Sequence, residues 1–179
     1  MILSGSEIRK ALDSGVWEIS DGERVLLGDE YYVGPNSVDV RLGDRAFLGN
    51  PYSKNPAHIP FDFTKSWLSP GNFVLGHTIE AIDCSAPLTI DGEQHYFVPM
   101  LEGRSTLARM GVCIHQTAGF GDYGFDRQWT LEITTHLPVM LTPGMRIGQI
   151  YFQKLLGESV RYNGAYKDQS GPTMPAARP

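Results

Sequence analysis

Three short stretches carry residue types whose spacing could do chemistry. In Gly103-Arg104-Ser105-Thr106-Leu107-Ala108-Arg109 a glycine, two hydroxyls and two arginines surround what reads as one turn of helix. If Ser105 or Thr106 caps that turn, its free N–H groups and positive end meet at one point, with Ser105 and Arg109 on one face, an arrangement that would hold a phosphate. A capped surface helix with solvated arginines explains the same residues equally simply. In Trp129-Thr130-Leu131-Glu132-Ile133-Thr134, strict alternation sends Leu131 and Ile133 to one face and Thr130, Glu132 and Thr134 to the other. On an open face Glu132 is an ordinary solvated carboxylate. Lining a closed pocket, it would be desolvated and suited to moving protons.

The stretch His115-Gln116-Thr117-Ala118-Gly119-Phe120-Gly121-Asp122-Tyr123-Gly124-Phe125 combines three glycines, an aspartate and three aromatics. Glycines permit close backbone approach, so such a loop can offer N–H and C=O groups to the edge of a base while Asp122 reaches a sugar hydroxyl or a water. A plain glycine-rich hairpin is the other reading. Gln149, in Gly144-Met145-Arg146-Ile147-Gly148-Gln149, either bonds a ligand phosphate or bridges strands.

The elements that must position these residues are mostly strands. Ser4-Gly5-Ser6-Glu7 has capping-box spacing, and Ile8, Ala11 and Leu12 share a helical face up to Gly15, which predicts one short N-terminal helix. Beyond it, runs rich in Val, Ile, Phe and Thr (37–42, 73–79, 129–134 and 146–152) are separated by Gly, Pro, Asn and Asp, the pattern of an all-β barrel or sandwich. Leu88 to Pro99 reads as a strand pair turning at Asp91-Gly92, and residues 50–60, polar and proline-bearing, read as a connection. The stretch 162–179, rich in Gly, Pro, Ala and Ser, has little to bury and is expected to be a mobile tail unless a ligand or neighbouring subunit orders it.

Composition narrows the function classes. A chain of 179 residues suits one domain, and a net charge of −5 argues against a broad basic surface for a nucleic-acid polymer. A small polyanion remains open, because it needs only a few placed cations. Cys84 and Cys113 are too few for a disulfide framework, and five histidines stand without CxxC, HxE or HExxH spacing, so no zinc site is readable. No apolar run reaches membrane-spanning length, and Glu7, Arg9 and Lys10 near the start do not suit a secretory signal. A soluble, reducing, cytoplasmic setting is the expectation.

In this order and spacing the motifs resemble the dCTP deaminase family within the dUTPase-like superfamily. The likeness runs from Met1-Ile2-Leu3-Ser4 through Asn36 to Gly43, Gly103 to Arg109, His115 to Glu132 and Pro143 to Gln149, and ends in Tyr166 to Thr173. It implies a mainly β fold, a distorted β-barrel of the dUTPase-like (β-clip) type with short helices. Residues 1–161 would form the deaminase domain and 162–179 a tail closing over the active site. It further implies a homotrimer with sites at subunit boundaries and dCTP as ligand. Arg104, Ser105, Thr106 and Arg109 would hold the triphosphate with Gln149, Tyr162 and Gln169, Tyr166 would also bind the substrate, and Mg²⁺ would be held through the phosphates, with no zinc. Asp122 would meet the deoxyribose 3′-hydroxyl, Phe125 would flank the substrate, and the Ala118 backbone would position a water that Glu132 deprotonates, oriented by Arg109.

The expected reaction is hydrolytic deamination of dCTP to dUTP and ammonia, with two alternatives: a bifunctional enzyme forming dUMP and pyrophosphate, or a non-catalytic nucleotide-binding regulator. Gly119 points to the bifunctional branch, since deaminases that stop at dUTP tend to carry histidine there. The chain also departs from the family pattern at Gly121, which replaces an aliphatic residue, and at Asp126-Arg127-Gln128, which replaces a small-Gly pair. In the tail, Ala165 stands where a lysine is expected, with Lys167 nearby.

Overall fold

The computed structural model describes residues 1–49 and 59–176. Helix α1 (Gly5–Asp13) starts where the capping box places it: Ser4 is the N-cap and its Oγ accepts from the Glu7 N–H. Ile8 and Ala11 face the core, and Gly15, at φ 69°, turns the chain out of the helix. Strands follow: β1 (Glu18–Ser20), β2 (Tyr32–Val33), β3 (Val38–Arg41), β4 (Phe47–Leu48), β5 (Ile59–Pro60), β6 (Val74–Asp83), β7 (Leu88–Ile90), β8 (Glu93–His95) and β9 (Phe97–Gly103). After the short helix α2 (Ser105–Arg109) come β10 (Val112–Cys113), β11 (Gln128–Thr135) and β12 (Arg146–Lys154). Apart from β5, the 50–60 connection lies outside the described residues.

All pairings are antiparallel. One sheet runs β10-β11-β6-β4-β5, with β1 also on β6; the other runs β2-β3-β12-β9. The expected mainly β class holds, and the two sheets enclose the core rather than closing into one continuous barrel ladder. They are stitched at one corner, where Leu42 bridges Thr78 and the Gly43 N–H donates to the His77 carbonyl. The predicted strand pair after Leu88 is the separate hairpin β7-β8; Asp91 and Gly92 take φ 54° and 83°, the doubly left-handed turn that matches strand twist.

The core is the meeting of the inner faces, with Val38, Val40, Ile150 and Phe152 of one sheet against Val74, Leu131 and Ile133 of the other and Leu42 at the corner between them. Trp17 closes one end. Its ring lies edge-on to Phe97 at 5.7 Å and tilted on Phe152 at 4.8 Å, while its indole N–H donates to the Ala86 carbonyl at 2.8 Å. Among the described residues no helix is long and apolar enough to cross a membrane, and Cys84 and Cys113 are both free thiols.

The tail differs from expectation. Gly171 and Pro172 are buried, and residues 162–176 are bonded to the chain's own strands rather than standing free. Low apolar content did not leave the tail without partners, because backbone and amide groups supply its contacts. Trp17→Ala is expected to lower the unfolding free energy by about 3–5 kcal/mol, measured by urea titration, since it opens a large cavity and strands a carbonyl.

Candidate active site

β11 and the loop before it build one wall of a cavity of about 710 Å³. β11 pairs with β6 through Leu131↔Gly76, Glu132↔Leu75 and Ile133↔Val74, which sends Leu131 and Ile133 into the core. Thr130 and Glu132 thereby line the cavity. Near its start β11 is irregular between Gln128 and Thr130, and the Trp129 N–H bonds the Thr78 hydroxyl at 2.9 Å instead. That irregularity lets Gln128 and Trp129 both be buried, with Trp129 edge-on to Phe125 at 5.3 Å.

Glu132 is half-buried, and its Oε2 accepts from the Gln116 N–H at 3.2 Å. The Gln116 side chain runs back along the strand to the Glu132 carbonyl at 3.4 Å and the Thr134 hydroxyl at 3.2 Å. A carboxylate held by a backbone donor and lining a cavity with Phe73, Phe120, Phe125 and Trp129 can take a proton from a bound water. Across from Thr130 on β6 lies His77, buried, its pKa held below the ordinary imidazole value chiefly by desolvation.

The loop 115–125 is not a free hairpin. It lies along β9: the Leu101 N–H donates to the Gly119 carbonyl at 2.7 Å and the Gly121 N–H to the Pro99 carbonyl at 2.9 Å. A Cβ on Gly119 would meet the Leu101 carbonyl oxygen at 2.5 Å, and one on Gly121 would meet Pro99 and the Trp129 ring at 2.8 Å. Both glycines are therefore required by close backbone approach, and Trp129 fills the space that an aliphatic side chain at 121 would need.

The structure sorts the predicted site residues into two groups. Ala118, Asp122, Phe125, Glu132, Tyr162, Tyr166 and Gln169 line the cavity together. Arg104, Ser105, Thr106, Arg109 and Gln149 do not. α2 has Arg104 as its N-cap, with no side-chain cap bond, so neither Ser105 nor Thr106 caps the turn; both are exposed. The reason is Arg104 itself, which leaves β9 extended and binds its guanidinium to the buried Asp39. Arg146 reaches the same carboxylate at 3.1 Å and covers the Tyr32 ring, and Gln149 accepts from the Ser37 hydroxyl at 3.0 Å. Arg109 is exposed and, within one chain, does not join Glu132 at the cavity. Lys167 bonds Asn163 at 2.9 Å and does not line the cavity.

Sequence reasoning missed the cavity residues Phe73, Phe120, Thr130 and Met174. For Thr130 the alternation that selected Glu132 was a sufficient signal; for the rest only tertiary contact brings them in.

A family model described as dCTP deaminase-like matches residues 2–155. The chain belongs to the dCTP deaminase-like family. A relative from Leptospira biflexa named "dCTP deaminase, dUMP-forming" is 36% identical over 178 residues, covering 96% of this chain and 92% of its own. Proteins of the same name from Cytophaga hutchinsonii and Hathewaya histolytica are 36% and 34% identical, again over 96% of this chain. In fold, the chain resembles the crystal structure of a 2′-deoxycytidine 5′-triphosphate deaminase from Agrobacterium tumefaciens (TM-score 0.60, 20% identity). That match covers 84% of this chain, which spans about half, 47%, of that one.

These relatives overturn the expectation that dUTP is the released product: their names specify dUMP. Gly119, the residue that pointed to the bifunctional branch, is the better guide. Gly119→Ala is expected to cost about 1–3 kcal/mol, because the new methyl meets backbone rather than a movable side chain; thermal melting followed by product analysis would register both the stability loss and a displaced Ala118.

Proposed function

We propose that the protein converts dCTP directly to dUMP, releasing ammonia and pyrophosphate, with Glu132 as the general base. The observation that carries this reading is a half-buried carboxylate, oriented by the Gln116 N–H, facing an aromatic cavity that also gathers Ala118, Asp122, Phe125 and the tail residues Tyr162, Tyr166 and Gln169. Family membership and the names of the relatives support the same chemistry.

In this reading the base lies among Phe125, Trp129 and the loop backbone. Glu132 takes a proton from a water held at the Ala118 backbone, the hydroxide adds to C4 of cytosine, and the same carboxylate passes protons to the ring and to the departing ammonia. A second water then cleaves between the α and β phosphates, so that dCTP and two waters become dUMP, ammonia and pyrophosphate. Asp122 takes the sugar 3′-hydroxyl. Two carboxylates, Asp122 and Glu132, line the cavity, and both have roles in this scheme, so Mg²⁺ is assigned to the phosphate oxygens. Bound there, the cation would supply charge neutralisation of the triphosphate.

Arg104, Ser105, Thr106, Arg109 and Gln149 stand apart from the cavity in one chain. We assign them to the triphosphate across a subunit boundary of a homotrimer, where one copy's arginines complete another's cavity and Arg109 of a neighbour orients the Glu132 carboxylate. Residues 1–161 then act as the deaminase domain and 162–179 as its closing segment. The setting is cytoplasmic and the ligand a free nucleotide, not a nucleic-acid polymer.

The test is incubation of the protein with dCTP and Mg²⁺, with chromatography of nucleotides and an ammonia assay. Ammonia and pyrophosphate rising in step with dUMP is the expected result; build-up of free dUTP, or binding with no ammonia, would count against it. Glu132→Gln is expected to keep dCTP binding and to lose about 10²–10⁴-fold in turnover, since the amide cannot accept the water's proton.

A further inference from the structure

We infer that Asp126, Arg127 and Gln128 are positioning residues that lock the tail over the cavity of its own subunit, presetting Tyr162, Tyr166 and Gln169 for the nucleotide. The inference rests on the proposed function only in taking those three tail residues as nucleotide contacts.

Gln128 is the hub. It is buried at the start of β11, with a relative exposure of 7%. Its side-chain nitrogen donates to the Asp21 carbonyl at 3.1 Å and the Ile79 carbonyl at 2.9 Å, which ties it to the sheet. Its Oε1 accepts from the Gly171 N–H at 3.0 Å, and its backbone carbonyl accepts from the Gln169 side chain at 2.6 Å, which ties it to the tail. Only a neutral amide serves here. A carboxylate would turn negative charge on two carbonyls, and an aliphatic side chain would leave those carbonyls and the Gly171 N–H without these partners.

The two preceding residues act at other points. Asp126 pairs at 3.2 Å with Arg161, the residue from which the tail departs, and the Arg127 Nε–H donates to the Lys167 carbonyl within the tail at 3.0 Å. Three consecutive residues thus hold the chain at Arg161, Lys167 and Gln169 to Gly171, the Gln169 contact through the Gln128 main chain. Thr130 extends the seam, its hydroxyl accepting from the Thr173 N–H at 3.1 Å. Between the anchors, the Tyr162 N–H donates to the Tyr123 carbonyl at 2.7 Å and its ring lies edge-on to Phe125 at 5.9 Å, while the Tyr166 hydroxyl accepts from the Ala176 N–H at 3.0 Å within the tail; both rings line the cavity. Ordering a segment of this length draws on conformational entropy; a tail already locked by its own subunit does not take that cost from the binding energy of the nucleotide.

The test is amide hydrogen exchange on the full chain without nucleotide, paired with steady-state kinetics on dCTP. The Gly171 and Thr173 amides are expected to be protected. Gln128→Ala and the double variant Asp126→Ala/Arg127→Ala are expected to lose that protection and to raise KM by roughly tenfold, as a fractionally closed site would, while kcat at saturation stays close to that of the unsubstituted protein. Tail amides exchanging in the unsubstituted protein as fast as an unstructured peptide would overturn the inference. So would unchanged tail exchange and KM in the double variant, which alters exposed or half-buried side chains and decides the matter should Gln128→Ala fail to fold. Exchange is read without turnover, so a locked tail in a protein that does not deaminate would sink the proposed function and leave the lock standing.

Discussion

The site depends on the pairing of β11 with β6. One register puts Leu131 and Ile133 among Val38, Val40 and Phe152, and the same register turns Thr130 and Glu132 to the cavity. A slip of one residue would exchange the two sets, burying a carboxylate in the core and exposing two large aliphatics. The hydrophobic effect acting on Leu131 and Ile133 therefore also fixes where the carboxylate points. The Gln116 N–H then supplies the finer orientation, and the irregularity at the start of the strand gives Gln128 and Trp129 their buried places.

Around that strand the cavity is assembled by backbone approach more than by side-chain bulk. The 119–121 segment lies close enough to β9 that neither glycine has room for a methyl, and the space released is taken by the Trp129 ring. The tail closes the opposite side through amide and backbone bonds, an arrangement that needs few apolar residues. This is why a segment with the composition of a disordered tail can carry the buried residues Gly171 and Pro172.

The relatives are named for dUMP rather than dUTP, and the geometry gives a physical context for Gly119, the residue that pointed to that branch. A histidine at 119 would have to displace the Leu101 carbonyl, 2.5 Å from its Cβ, and would crowd the His115 ring at 3.0 Å, so the close approach of loop and strand calls for glycine. The other departures from the family pattern are absorbed in the same way: Gly121 is complemented by Trp129, and Asp126 to Gln128 bond to the tail.

What the sequence by itself determined follows from local rules. The helix from Ser4 to Gly15, the hairpin at Asp91-Gly92 and the two faces of 129–134 rest on capping, turn chemistry and period-two alternation, which act over a few residues and survive without knowledge of the fold. To Asp122 and Glu132, already singled out by their own stretches, the family resemblance added Ala118, Phe125, Tyr162, Tyr166 and Gln169, all of which line the cavity. Tertiary structure alone decided that Arg104 goes to Asp39 and caps α2 in place of Ser105 or Thr106, that Arg109 and Gln149 stand away from the cavity of their own chain, and that Gln128 anchors the tail. The Arg104, Gln149 and Gln128 choices are contacts between groups far apart in the chain, where a donor or acceptor takes whichever partner the packed sheets bring within reach; no spacing rule along the sequence encodes that choice.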